Sequence, residues 1–258
     1  MSESVNFDRM ADRYDQTRGG EERGRRVAGA LVPHLGGHPR GGTLLEIGVG
    51  TGLISAGFAG LGWSVAGVDV SERMLAHAAR RLPGRVLRAD ATAIPFRAAV
   101  VDVCVAVHVI HLVGDPGAAL AEVARVLRPG GRFAFVGGGK HGGSDVAEIV
   151  GAMQAELSGG APRRDDPEAV TRLAERAGLR HAADLTIVDS GHPSTPLESA
   201  RQIELRTWSH LWSIPAARWT SVVEPALDAL RGLPNPTEPR SDRISTPSLV
   251  FEKPAAAG

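Results

Sequence analysis

Three glycines alternate at Gly48, Gly50 and Gly52 in "LLEIGVGTG", directly behind a short apolar run. Where a strand turns into a helix, such glycines leave backbone N–H groups uncovered and let a ligand approach the main chain without meeting a Cβ. The chemistry expected there is nucleotide binding. A dinucleotide fingerprint counted from Gly48 needs glycine where Leu53 stands, and counted from Gly50 it needs glycine where Ser55 stands. A nicotinamide-dependent oxidoreductase is therefore kept only as the alternative. Glu46, two residues before Gly48, would oppose a pyrophosphate electrostatically and suits a cationic or neutral nucleoside better. Two further acids, Asp69 in "WSVAGVDV" and Asp90 in "RVLRAD", close the next two apolar runs.

Two histidines, His108 and His111, follow the fourth run in "VDVCVAVHVIHLVGDP". Both fall at the carboxyl end of a strand, where open α/β sheets place their ligands. An imidazole near its ordinary pKa of ~6.5 can take a proton from an acceptor hydroxyl, so His111, with His108 three residues before it, is either a proton acceptor or a residue lining the substrate. His141, His192 and His210 lie on segments expected to cover the pocket. Trp208 and Trp212, at i and i+4, should share one helical face, as core or as the wall of an apolar acceptor site. No metal is expected. "GGGKHGGS" has His after Lys140 where a phosphate loop has Ser or Thr, and His34 and His38 are separated by two glycines.

The elements that must position these groups read as alternating strands and helices. "TLLEI", "WSVAGVDV", "RVLRAD", "VDVCVAV" and "RFAFVGG" suit parallel strands buried on both faces. "SERMLAHAARRL" opens on the N-cap Ser71. "PGAALAEVARVLRPGG" carries an apolar face of Leu120, Val123, Ala124 and Leu127 and should stop at its Pro-Gly-Gly. Two helices are expected within 141–179, and strands at "HAADLTIVDS" and "RISTPSLVFEKP". The fold expected is α/β, a doubly wound, seven-stranded Rossmann-like sheet with helical cap insertions. One domain should span 1–258, with N-terminal lid helices over 1–40, a cofactor-binding core over 41–139, and substrate-cap insertions at 140–168 and 191–240. The segment about 191–240 looks too short and interrupted for a core of its own.

Glu46-x-Gly48-x-Gly50-x-Gly52, with Asp69 in "VAGVDVSERML" and Asp90 in "LRADATAIPF", resembles the class I S-adenosylmethionine-dependent methyltransferases. The likeness runs over roughly Asn6 to Gly139, about half the chain, and is to the small-molecule, ubiquinone-biosynthesis-like (type 11) branch. It implies that the glycine turn passes the methionine moiety and that Asp69, with Val70 beside it, binds the ribose hydroxyls. Asp90 and the Ala91 N–H would hold the adenine, and Met74 would pack on its face unless it is simply core. Tyr14, in "FDRMADRYD", would reach the cofactor carboxylate from a lid helix, and His108 would line the junction of cofactor and substrate. The implied reaction is methyl transfer from S-adenosyl-L-methionine to an O, N or C atom of a small molecule, in bacterial secondary metabolism. A non-methylating enzyme on the same scaffold is a further alternative.

Composition narrows the partners. Lys plus Arg equals Asp plus Glu at 29 each, so no global charge favours nucleic acid or an anionic membrane. Cys104 is the single cysteine, which excludes an internal disulfide framework. The first residues are charged and lack a leader's apolar core. The expectation is a cytoplasmic monomer or homodimer acting on a small molecule.

Overall fold

In chain order the elements are α1 (Gly20–Leu31), β1 (Thr43–Ile47), α2 (Leu53–Gly60), β2 (Ser64–Asp69), α3 (Glu72–Arg81), β3 (Val86–Arg88), β4 (Val101–Val107), α4 (Pro116–Val126), β5 (Leu127–Val136), β6 (Lys140–Gly142), α5 (Asp145–Ser158), α6 (Pro167–Arg176), β7 (Arg180–Ser190), α7 (Pro196–Glu204), α8 (Ala216–Arg218), α9 (Glu224–Arg231) and β8 (Arg243–Glu252). The computed structural model describes residues 20–36, 42–159, 165–190, 193–208 and 211–255. It divides into two compact units, one drawn from Met1–Gly138, Arg164–Ile187 and Pro247–Gly258, the other from Gly139–Arg163 and Val188–Thr246. No described helix is long and apolar enough to cross a membrane.

The first unit holds a seven-stranded sheet in the order β3-β2-β1-β4-β5-β8, with β7 also paired to β8. From β3 to β5 all neighbours are parallel, whereas β8 runs antiparallel to β5, from Arg132↔Glu252 to Val136↔Ser248. Successive side chains of a strand point to opposite faces, and here both faces are buried. Leu45, Ile47, Cys104, Ala106, Phe133 and Phe135 pack with Leu120 and Val123 of α4 and Val170 and Ala174 of α6. Leu44, Val103, Val105, Ala134 and Val136 pack with Val27 and Leu31 of α1 and Phe58 of α2. Helices on both faces and near-continuous apolar strands are the doubly wound arrangement expected.

One boundary differs from expectation. α4 ends at Val126, and Leu127, with φ −65° and ψ 139°, already begins β5. The Lys253 ammonium donates to the carbonyls of Ala124 (2.7 Å) and Leu127 (2.8 Å), so a distant cation closes the helix in place of the glycines. Pro129 to Gly131 become an extended bulge, tied by Gly130 N–H to Lys253 O and Lys253 N–H to Gly131 O, both at 2.8 Å.

The second unit has its own apolar core. Val146, Val150 and Met153 of α5 meet Ala200 and Ile203 of α7, Leu211, and Ala226, Leu227 and Leu230 of α9. Neither inserted segment could bury such a face alone; together they do. β6 pairs antiparallel with Arg243, Ile244 and Ser245. Ser144 caps α5 by accepting from Ala147 N–H, and a capping box of Thr195 and Glu198 opens α7.

The helix of the second insertion does not run unbroken into the tryptophan segment, and residues 209–210 between Trp208 and Trp212 fall outside the described residues. α7 ends at Glu204 and Arg206 adopts φ 49°, which a helix cannot accommodate. The Arg206 guanidinium instead lies 4.1 Å from the Trp219 ring centre, and the Trp212 indole N–H donates to Arg206 O at 2.8 Å. A π turn over Trp219–Val223 precedes Pro225, whose missing N–H and ring disfavour regular α-helical register there.

Candidate active site

At the carboxyl end of β1 the chain enters a left-handed turn, with φ of 67° at Gly48, 54° at Gly50 and 82° at Gly52. These angles strain any residue with a side chain. The two outer glycines are packed from beside: a Cβ on Gly48 would come within 2.3 Å of Val109 Cγ2, and one on Gly52 within 3.2 Å of Ala78 Cα. Over Gly50 no atom of the described residues lies within 4 Å of that position. The turn is thus braced at both ends and open in the middle. Arg81 reaches back from the end of α3 and donates to Thr51 O at 2.9 Å.

Asp69 ends β2, and the pairing Ile47↔Val68 sets it beside this turn. Its Oδ2 accepts from Gly50 N–H at 2.8 Å and its Oδ1 from Ser71 N–H at 2.9 Å. Ser71 in turn caps α3 by accepting from Met74 N–H. Val70 is exposed, and Met74 is interior at 2% exposure.

Asp90 stands two residues beyond β3, whose last residue, Arg88, pairs with Asp69. The Asp90 Oδ1 accepts from Thr92 N–H (2.9 Å) and Thr92 Oγ1 (2.7 Å) in an exposed turn. Ala91 is half-buried against the main core. Two residues not singled out in the sequence hold this loop. Glu122 accepts from Ile94 N–H at 2.8 Å, while Arg125 donates to the carbonyls of Ile94 (2.9 Å) and Phe96 (2.8 Å). The Arg125 hydrogen bond is also the main reason the Glu122 carboxyl lies below the usual carboxylate range, against a smaller opposing effect of burial. Their spacing at i and i+3 in α4 was visible, but nothing in it indicates a loop some thirty residues upstream.

Glu46 departs from the charge assigned to it from sequence. It is 2% exposed, and Ser55 Oγ donates to its Oε2 at 2.5 Å. Burial outweighs the Ser55 bonds and the nearby Arg23, and with the Asp69 charge adding repulsion the pKa is pushed up to about 8. In the ligand-free protein near neutral pH Glu46 is protonated, so its charge does not repel anions from the turn.

His108 follows β4 with φ 52°, its N–H donating to Val136 O at 3.0 Å. A side-chain-bearing residue held in this region beside a ligand-binding edge is strain of the kind that clusters at functional sites. His111 lies in a 3-10 turn over Ile110–Leu112, with Nδ1 3.2 Å from Asp165 Oδ2. Asp165 was placed by the sequence in an insertion, but it belongs with the first unit. His141 lies on β6; Tyr14, His192 and His210 fall outside the described residues. Trp208 packs on the second unit's core. A separate cleft of about 440 Å³, lined by Trp63, Arg81, Leu82 and Arg85 among others, takes its walls from the segments leading into β2 and β3, at the opposite strand ends.

Residues 45–135 match the family model described as a methyltransferase domain. An uncharacterized methyltransferase of Mycobacterium sp. (strain JLS) is 32% identical over 166 residues, covering 60% of this chain and 66% of that one. The demethylmenaquinone methyltransferase of Renibacterium salmoninarum is 36% identical over 133 residues, 49% of this chain and 54% of its own length. The chain thus spans between about half and just under two thirds of these relatives. Among solved structures the [4+2]-cyclase SpnF superposes with a TM-score of 0.61 at 17% identity, over 98% of this chain and 96% of that one, a likeness of fold.

Proposed function

We propose that this chain, whose residues 45–135 match the methyltransferase-domain model and whose sheet is parallel from β3 to β5 with β8 antiparallel, transfers a methyl group from S-adenosylmethionine to an O, N or C atom of a small molecule. The observation that carries the reading is the Asp69–Gly50 bond, at a turn where no described residue covers Gly50. A carboxylate offers about four acceptor sites, enough for two backbone N–H groups and a ribose diol together. The uncovered Gly50 backbone lets the methionine portion lie against the turn. These residues fit S-adenosylmethionine, and when bound that cofactor supplies an electrophilic methyl group on a sulfonium.

The chain's own residues do the remaining work. Asp69 holds the ribose, with Val70 beside it; Asp90 and the Ala91 N–H meet the adenine edge, on a loop that Glu122 and Arg125 fix. His108 borders the sulfonium and His111 lines the acceptor. Met74 contributes packing. Because the transfer is an in-line displacement, alignment and exclusion of water supply most of the acceleration. Tyr14 is assigned to the cofactor carboxylate. Acceptor choice is assigned to the inserted unit that carries His141, Trp208 and Trp212, and the setting is the cytoplasm.

Calorimetry with S-adenosylmethionine and S-adenosylhomocysteine, followed by transfer of labelled methyl to a panel of quinols, phenols and amines, tests the reading. Binding is expected for the native chain and weaker by about a hundredfold or more for Asp69→Ala. Failure of both ligands to bind, or tight binding of a reduced nicotinamide dinucleotide instead, would overturn it.

A further inference from the structure

His111 and Asp165 stand in close contact within the first unit. The Asp165 side chain is 1% exposed and that of His111 is 23% exposed. Nδ1 of His111 is sealed from solvent and makes no aligned hydrogen bond among the described residues, while Asp165 Oδ2 lies 3.2 Å away. The exposed part of the side chain therefore belongs to its other atoms. A carboxylate accepts and cannot donate, so the neutral imidazole opposite it is favoured with its proton on Nδ1, which leaves Nε2 as the basic nitrogen.

We propose that Asp165 is a positioning residue that holds His111 as the Nδ1–H tautomer, making Nε2 the general base for an acceptor hydroxyl. The proposal rests on the methyltransferase reading and narrows it to acceptors that must lose a proton, such as phenols, enols and alcohols. As the hydroxyl oxygen takes the methyl group, its proton passes to Nε2 and the S–C bonding pair stays on sulfur. For carbon or amine acceptors that shed their proton to water, the pair would serve no purpose.

The test uses the full chain labelled with ¹⁵N-histidine in alkaline buffer, where imidazoles are neutral, with His111→Gln to assign the resonances. His111 is expected as the Nδ1–H tautomer, switching to Nε2–H in Asp165→Asn, whose amide can donate to Nδ1. Diethyl pyrocarbonate with peptide mapping reads the basicity of Nε2. Carbethoxylation of His111 should fall by about tenfold in Asp165→Asn, a change that a buried, merely structural pair would not produce. An Nε2–H tautomer in the native chain, or an unchanged modification rate in Asp165→Asn, overturns the proposal; the native tautomer decides even if the variant does not fold. S-adenosylmethionine calorimetry on the same samples separates the two claims, because lost binding with the tautomer intact overturns the methyltransferase reading, whereas a wrong tautomer overturns only the dyad.

Discussion

The two ends of the central strands solve opposite problems with the same residue types. At the amino end, Asp102 of β4 accepts from Thr43 N–H and Thr43 Oγ1, both at 2.8 Å, and from Arg128. Burial alone would raise its pKa, but these donors outweigh it and hold the carboxyl below the usual range. At the carboxyl end, Glu46 lacks comparable donors and is neutral, and the backbone turns left-handed at Gly48, Gly50, Gly52 and His108. At the amino end the carboxylate is held by several donors; at the carboxyl end the backbone is strained. A parallel sheet sends every β-to-α turn to its carboxyl edge, which is where ligands gather.

Breaking the carboxyl end should leave the amino end intact, and the converse. The largest effect is expected for Asp69→Ala: cofactor affinity falls by about a hundredfold or more, equivalent to ~3 kcal/mol, because the half-buried Gly50 N–H and the ribose lose one acceptor together. Calorimetry reads it, and a change below tenfold would remove Asp69 from the site. Asp102→Ala should cost about 2–3 kcal/mol of stability in urea unfolding while cofactor affinity stays within twofold. Its contribution is present above the ordinary aspartate pKa and is lost as pH falls through the depressed folded value.

Next comes Gly50→Ala. The open space admits the methyl group but the φ does not suit it, so a stability loss of about 1 kcal/mol should accompany a larger loss of cofactor affinity. Gly48→Ala, which meets Val109, should reverse that order. Glu46→Gln is the sharpest test of the contrast in charge. Between the ordinary value of 4.5 and the folded value of about 8, the folded chain keeps a proton that the unfolded chain releases. Stability therefore declines as pH rises across that window and levels off above it. The Gln variant should abolish that slope, seen as equal urea midpoints at about pH 5 and about pH 9 once other groups' shared dependence is subtracted. The smallest effect is expected for Arg125→Ala, a few-fold weaker affinity through a loosened Asp90 loop, read with S-adenosylhomocysteine.

Much of the core is legible in the sequence. The glycine turn, Ser71 as N-cap and Asp69 at the end of β2 follow from local rules, because φ requirements and caps act within a few residues. The reading faltered where distant groups intervene. Lys253 ends α4 from more than a hundred residues away, and Arg206 leaves helical geometry and stacks on Trp219, which breaks the helix expected to run on from α7. The segment about 191–240 looked too short for a core of its own because it buries one only together with α5.

From the sequence alone came the doubly wound sheet, the nucleoside-type turn and the rejection of a dinucleotide fingerprint, all consequences of periodicity and near-neighbour sterics. Only the tertiary structure decided that Glu46 is neutral, that Glu122 and Arg125 hold the Asp90 loop, and that Asp165 faces His111. Protonation and side-chain pairing depend on burial and on partners remote along the chain, and spacing encodes neither.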